Sequence, residues 1–225
     1  MKNIAVILAA GTGQRFGQTV PKQFTIFNGK MLVEYALEAF QQHPDIAETV
    51  LVLPANYVTE MQAKLENKHY GKLKHVVAGG AERYLSSYQA VRLYKNEPEA
   101  NLLIHDAARP LISQEIISEV IQKLQTSKAV MVAMPATDTI ALVDETAQVK
   151  SVLDRRRCYQ VQTPQAFRLS LLRETFQKAI YERYNYATDD CGLVMHYFPH
   201  ESIAVVTGNM QNVKITTEFD LKFLG

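Results

Sequence analysis

Two cations beside a glycine-rich loop are the residues of this chain best placed to do chemistry. Arg15 and Lys22 lie in Leu8-Ala9-Ala10-Gly11-Thr12-Gly13-Gln14-Arg15-Phe16-Gly17 and the following Val20-Pro21-Lys22-Gln23. A backbone without bulky side chains can approach a phosphate closely and aim its N–H groups at it. A guanidinium and an ammonium on the same segment supply the charge a triphosphate demands. Two familiar phosphate loops are excluded. The dinucleotide fingerprint needs G-x-G-x-x-G, whereas Phe16 holds its third glycine slot and Gly17 comes one place late. The Walker pattern fails because no Gly-Lys-Ser or Gly-Lys-Thr follows the glycines.

A second cluster is His105-Asp106-Ala107-Ala108-Arg109-Pro110. A carboxylate at a strand end beside two alanines leaves room for a nucleotide and its Mg²⁺, with Asp106 as the candidate metal contact. Arg109 offers a bidentate fork for a phosphate; a structural Asp–Arg pair is the alternative. Gly79-Gly80-Ala81-Glu82-Arg83-Tyr84-Leu85-Ser86-Ser87 places amides and a hydroxyl at a helix start, suited to a base edge, a phosphate or a plain cap. Arg155-Arg156-Arg157 is either a solvated basic run or, with Thr163-Pro164-Gln165 and Lys214, a second anion pocket. Thr188-Asp189-Asp190 either caps a helix or holds substrate hydroxyls. His43, His69, His75, His196 and His200 lack metal-ligand spacing, and Cys158 and Cys191 make no disulfide framework or metal cluster.

Alternating strands and helices must position these groups. The apolar, β-branched run Ile4–Ala9 reads as a buried strand that empties into the glycine loop. Further strands are expected at Thr49–Leu53, His75–Val77, Leu102–Ile104, Ala129–Met134 and Ile203–Val206. Helices are expected over Val33–Phe40, Val58–Leu65, Ser86–Tyr94, Glu115–Leu124 with Ser113 as N-cap, and Ser170–Glu182. Ala187–Asp190 reads as a loop. Repeated βα units imply an α/β fold, a doubly wound and mainly parallel sheet with right-handed crossovers. In such sheets ligands bind outside the carboxyl ends of the strands, where the glycine loop, Gly79-Gly80 and Asp106 all fall. Residues 136–162 break the pattern as a hairpin arm, with Ile140–Val143 and Val149–Leu153 flanking Asp144-Glu145-Thr146-Ala147. A lone hairpin leaves edges to cover, so the arm either folds back on its own domain or packs on another subunit.

Composition narrows the classes. At 225 residues and 47% hydrophobic, the chain can bury one domain's core plus an excursion. Lys+Arg of 24 against Asp+Glu of 23 gives +1, so no basic field suits nucleic acid and any anion site is local. Met1-Lys2-Asn3 runs directly into a strand without a signal-peptide pattern, and no apolar run reaches membrane-spanning length. A cytoplasmic protein is expected.

The ordered blocks Ala9-Ala10-Gly11-Thr12-Gly13-x-Arg15, Pro21-Lys22-Gln23, Gly79-Gly80-x-x-Arg83-x-x-Ser86, His105-Asp106-Ala107-Ala108-Arg109-Pro110, Asp138-Thr139, Asp154-Arg155, Gln162-Thr163-Pro164-Gln165, Thr188-Asp189-Asp190 and Asn212-Val213-Lys214-Ile215-Thr216 span nearly the whole chain. Together they resemble the 2-C-methyl-D-erythritol 4-phosphate cytidylyltransferase family of isoprenoid biosynthesis. The resemblance implies a single nucleotidyltransferase-type, Rossmann-like domain over residues 1–225 that transfers CMP from CTP to a sugar-alcohol phosphate, 2-C-methyl-D-erythritol 4-phosphate, releasing pyrophosphate, with Mg²⁺ or another divalent cation. By the same resemblance, Arg15 and Lys22 match transition-state stabilisers, and Arg155 and Lys214 match residues that position the acceptor. Ala9, Ala10, Gly11, Thr12, Gly13, Gly80, Ser86, Asp106 and Ala107 match the CTP site. Arg109 and Thr139 match acceptor contacts that come from the arm of a second subunit, implying a homodimer, and Thr163 and Thr188 fall in matching acceptor-side blocks. Two departures stand out. Ala81 follows Gly80 where some members carry an aspartate near the cytosine, which shifts base recognition to backbone groups and Ser86. Arg156 and Arg157 add two cations after Arg155. A ribitol-5-phosphate cytidylyltransferase and a non-catalytic nucleotide-binding module are the rival readings.

Overall fold

The computed structural model describes residues 1–11, 21–184 and 186–224; Thr12, Gly13 and Arg15 lie outside the described residues. Its strands are β1 (Asn3–Leu8), β2 (Ile26–Phe27), β3 (Lys30–Met31), β4 (Glu48–Leu53), β5 (Leu73–Ala78), β6 (Asn101–Asp106), β7 (Ala129–Pro135), β8 (Ala141–Val143), β9 (Val149–Val152), β10 (Tyr159–Arg168) and β11 (Ile203–Thr207). Its helices are α1 (Leu32–Gln42), α2 (Val58–Glu66), α3 (Arg83–Leu93), α4 (Gln114–Lys123), α5 (Leu169–Tyr181) and α6 (Asp190–Tyr197).

Seven strands form the main sheet in the order β11-β7-β10-β6-β1-β4-β5. The continuously apolar β1 occupies its interior because both its faces are covered. Ala5 and Ile7 pack with residues of α1, α2 and α4, whereas Ile4, Val6 and Leu8 pack with residues of α3, α5 and α6. From β1 the chain moves outward through β4 to β5, then returns to place β6 on β1's other side. This reversal creates a crevice at the carboxyl ends of β1 and β6. Register completes the placement: Leu8 stands opposite Asp106, so the acidic strand end adjoins the glycine loop.

The expected elements are present, and Ser113 caps α4 by accepting a hydrogen bond from the Ile116 amide at 3.4 Å. Three features differ from the sequence expectation. A ten-residue strand, β10, runs antiparallel between β6 and β7. Its pattern is hidden by Thr163-Pro164, across which the pairing with β7 shifts register. Residues 159–162, assigned to the arm from sequence, therefore belong to the main sheet. Asp190 begins the short helix α6 rather than ending a loop. A two-residue-stranded hairpin, β2-β3, also precedes α1.

The arm is a separate two-stranded unit of β8 and β9. Asp144 closes its turn by accepting from the amides of Thr146 (2.9 Å) and Gln148 (3.0 Å). Leu142, Val143, Val149 and Val152 remain 50–63% exposed, so the chain's own body does not cover the arm's apolar side chains.

Candidate active site

A cleft of about 420 Å³ opens at the crevice between β1 and β6. One wall is the loop Ala9-Ala10-Gly11 with Lys22, and the other is Gly80 to Ser86; Asp106, Ala107 and Lys214 form the floor and far side. Gly79 permits the two walls to meet. A Cβ there would lie 2.5 Å from Ala10 Cβ and 2.6 Å from Ser86 Oγ, closer than real atoms approach. Ser86 Oγ accepts from the Gly80 amide at 3.2 Å and donates to the Glu82 carbonyl at 3.2 Å, fixing the second wall.

Charges converge on Asp106. Lys214 Nζ donates to its Oδ2 at 2.8 Å, and Arg83 Nε donates to its Oδ1 at 3.1 Å. Arg83 also reaches back, its Nη1 donating to Asp190 Oδ2 at 2.5 Å. Burial pushes the Asp106 carboxyl's pKa up, but Arg83 and Lys214 outweigh burial and hold it below the usual carboxylate range. For Arg83, burial favours loss of the proton, yet Asp190 and Asp106 keep the guanidinium charged.

The strap Asn212–Thr216 carries Lys214 over the end of β6. It is held by the Ile215 amide on the Ala108 carbonyl at 2.7 Å and by Asn212, fully buried, whose Nδ2 donates to the Thr163 carbonyl at 2.8 Å. Lys22 Nζ donates to the Ile215 carbonyl at 2.8 Å, so the strap draws Lys22 and Lys214 towards one side of the cleft.

A buried relay supports this floor. The Asp106 amide donates to Thr163 Oγ1 at 3.1 Å, whose hydroxyl lies 3.0 Å from His105 Nδ1, and His105 Nε2 lies 2.9 Å from the Arg109 carbonyl. A carbonyl only accepts, so Nε2 carries the proton and Nδ1 accepts from Thr163. Burial pushes His105 down to about 4, keeping the ring neutral. The unfolded ring, near 6.5, takes up a proton at a higher pH than the folded one. Its contribution to stability is therefore present above pH 6.5 and lost as pH falls through about 4. Urea titrations from pH 7 to 4 should show this loss, and His105→Gln should flatten the slope in that window; an unchanged slope would remove His105 from the effect.

The structure gathers Ala9, Ala10, Gly11, Lys22, Gly80, Ser86, Asp106, Ala107 and Lys214 at one cleft. Thr12, Gly13 and Arg15 lie outside the described residues, and the remaining described candidates lie away from the cleft lining. Arg109 is buried, its guanidinium donating to the carbonyls of Asn212 (2.8 Å) and Val161 (3.1 Å). Thr163 is buried in the relay rather than lining the cleft. Thr188 is exposed ahead of α6, and Asp189 is that helix's cap, accepting from the Gly192 amide at 2.7 Å. Thr139 and Arg155 are exposed at the base of the arm, with Arg155 Nη1 on the Thr137 carbonyl at 2.8 Å. Arg156 is occupied by Asp154 through paired bonds of 3.0 and 2.9 Å.

The sequence assigns no individual role to Gln23 or Arg83, and its readings of Gln165 as part of an anion pocket and of Asp190 as a cap or hydroxyl holder give way to structural contacts. Gln165, fully buried, accepts from the amides of Asp190 and Cys191 at 3.0 Å each and donates to Asp189 Oδ2 at 2.7 Å, fastening α6 to β10. All four lie inside the quoted blocks, where a polar residue with no obvious ligand was the available signal. Among the described residues no group of three His, Cys, Asp or Glu side chains gathers to hold a metal, and no helix is long and apolar enough to cross a membrane.

Known proteins resemble this chain in sequence and fold. The family model described as IspD, 2-C-methyl-D-erythritol 4-phosphate cytidylyltransferase, matches residues 3–224. A 2-C-methyl-D-erythritol 4-phosphate cytidylyltransferase from Thermobifida fusca is 37% identical, over 96% of this chain and 89% of its own length. The bifunctional ribulose 5-phosphate reductase/CDP-ribitol pyrophosphorylase Bcs1 of Haemophilus influenzae is 39% identical over 98% of this chain, which spans 47% of that longer protein. The crystal structure of 4-diphosphocytidyl-2C-methyl-D-erythritol synthase from Anaerococcus prevotii superposes with a TM-score of 0.85 at 28% identity, covering 99% of this chain and 93% of that one. The shared fold and the match along nearly the whole length make the assignment: the chain belongs to the 2-C-methyl-D-erythritol 4-phosphate cytidylyltransferase family.

Proposed function

We propose that this protein transfers CMP from CTP to 2-C-methyl-D-erythritol 4-phosphate, giving 4-diphosphocytidyl-2-C-methyl-D-erythritol and pyrophosphate, as a cytoplasmic homodimer. The observation that carries the reading is the convergence of Lys22 and Lys214 beside Asp106 at the mouth of the glycine loop. The acceptor phosphate is already anionic at neutral pH and needs no general base. Its oxygen attacks the α-phosphorus, and the bond from that phosphorus to the bridging oxygen of pyrophosphate breaks. The obstacle is repulsion between two anions, so catalysis is positioning and electrostatic stabilisation.

On this reading Ala9, Ala10 and Gly11, with Thr12 and Gly13, cradle the triphosphate, and Gly80, Ser86 and Ala107 receive the nucleoside. Lys22 and Arg15 stabilise charge at the α-phosphate as it gains a fifth oxygen. Lys214 meets the acceptor phosphate, with Thr139, Thr188 and Arg155 on the acceptor side, while the buried Arg109 and Thr163 support that side through backbone and relay contacts. The donor set fits Mg²⁺ arriving on the triphosphate rather than a resident ion, because both oxygens of Asp106 already face cations. Bound there, Mg²⁺ would lower the repulsion and steady the leaving group.

The uncovered apolar arm supports dimerisation through it, with Arg155 and Thr139 offered to the cleft of a second copy. Arg155→Ala should then raise KM for the acceptor by about 10-fold, the scale of one charge-assisted hydrogen bond, and leave that for CTP unchanged. Equal damage to both constants would move Arg155 out of the acceptor pocket.

The similarity to the Haemophilus protein favours a second reading, in which ribitol 5-phosphate is the acceptor. Pyrophosphate release with CTP, UTP and ATP against each acceptor separates the two. Turnover with CTP and methylerythritol phosphate is expected. Turnover with ribitol 5-phosphate alone would replace the acceptor, and no turnover with any pair would leave a nucleotide-binding module.

A further inference from the structure

Gln23 is buried, 4% exposed, on a 3-10 turn packed against the first wall of the cleft, which it helps to line. Its Nε2 donates to the Ala9 carbonyl at 2.6 Å and to the Gly11 carbonyl at 2.9 Å. Both partners are acceptors only, so chemistry fixes the orientation of the amide: nitrogen faces the loop. The turn that carries it is itself fixed. The Phe24 amide bonds the Pro21 carbonyl at 2.9 Å, the Thr25 amide bonds the Lys22 carbonyl at 3.0 Å, and Phe24 packs 4.7 Å from the Tyr57 ring.

In a trans peptide the C=O and N–H point in opposite directions. Drawing the Ala9 carbonyl back onto Gln23 therefore turns the Ala10 N–H, in the same peptide plane, away from it. Among the described residues that N–H has no hydrogen-bond partner, and Ala10 lines the cleft. Without Gln23 the Ala9 and Gly11 carbonyls could rotate towards the cleft and set partial negative charge against an anion. The neighbouring Lys22 shares the same turn, so one fixed backbone sets both the loop's polarity and the ammonium's place.

We infer that Gln23 is a positioning residue that sets the polarity of the phosphate loop, holding its carbonyls behind it so that amide N–H groups meet the triphosphate. The inference rests on the reading of this loop as a triphosphate site. It is tested with Gln23→Met, which keeps the length and removes both donors, Gln23→Glu, which offers acceptors in their place, and Gln23→His, which retains one ring donor. Affinities for CTP and for inorganic tripolyphosphate, each with Mg²⁺ and no acceptor, are measured by calorimetry beside KM for the acceptor at saturating CTP.

Gln23→Met and Gln23→Glu should weaken both ligands by about 10–100-fold, the scale of two lost hydrogen bonds, with Gln23→His between them and the wild type. KM for the acceptor should stay within about 2-fold, because the proposed reading assigns the acceptor to Lys214 and the arm rather than to this loop. A variant that melts early yet binds CTP as tightly as wild type would reduce Gln23 to a packing role and overturn the inference. So would a loss confined to CTP, since tripolyphosphate has no base to misplace. Wild-type protein that binds neither ligand would instead overturn the phosphate-loop reading and the inference with it. Should Gln23→Met fail to fold, Gln23→His still decides, because wild-type affinity in a protein short of one donor contradicts the role.

Discussion

Lys22→Ala is expected to lower kcat by about 10²–10³-fold, the effect of removing one preorganised donor from developing negative charge. The α-phosphate gains a fifth oxygen on the way to the transition state, and a fixed cation is worth most where charge grows. Lys22 is fixed: its turn is closed by backbone bonds, and its ammonium is aimed by the Ile215 carbonyl at 2.8 Å. Ground-state CTP meets other groups as well, including the amides of the loop, so its affinity should fall by much less than kcat. Steady-state kinetics with a direct binding measurement on the same variant separates the two. An intact kcat with a large loss of CTP affinity would make Lys22 a ground-state ligand. Lys22→Arg should recover only part of the rate, because a planar fork cannot occupy the place of a compact ammonium.

The second large effect is expected at Asp190, which does not itself line the cleft but holds Arg83, which does. Its side chain is fully buried and takes Arg83 Nη1 at 2.5 Å. Removing one partner of such a pair strands the other charge, and Asp190→Ala should cost about 3 kcal/mol of folding stability. Arg83 would keep only Asp106, and a freed guanidinium can turn both arms onto that carboxylate, displacing Lys214 from it. Asp190→Ala should therefore also lower the rate at temperatures where the variant remains folded. Asp190→Asn keeps the shape and an acceptor oxygen and should be milder in both respects. Urea denaturation and activity at low temperature check this. A loss of less than about 0.5 kcal/mol would mean that water replaces the carboxylate without cost.

Much of the fold was legible because its signals are local. Period-two placement puts alternate residues of β1 on opposite faces, and a strand apolar at every position must be covered on both. Ser113 three residues ahead of Ile116 is a cap whose geometry is contained in four residues. β10 was not legible, since Gln160-Val161-Gln162-Thr163-Pro164-Gln165 has neither the apolar run nor the clean alternation of a buried strand. Its polar side chains are satisfied by distant partners: Gln165 by the start of α6, Gln162 by Asn209 and Asn212, and Thr163 by His105. Burial of a polar residue depends on who meets it, and the one-dimensional pattern does not carry that.

The same distinction divides the site. By itself the sequence determined which chemical groups are present and at which strand ends they emerge. Glycines, alanines, Lys22, Asp106 and Lys214 announce an anion site through their types, and the βα alternation places the first of them at carboxyl ends. Only the tertiary structure decided what each group does there. It paired Asp106 with Arg83 and Lys214, tied Arg83 to Asp190, turned Arg109 onto backbone carbonyls and set Gln23 against the glycine loop. It also left Arg155 on an arm outside its own cleft. Residue type fixes charge and donor capacity, but orientation follows from contacts between segments far apart in the chain, made only once the sheet has assembled.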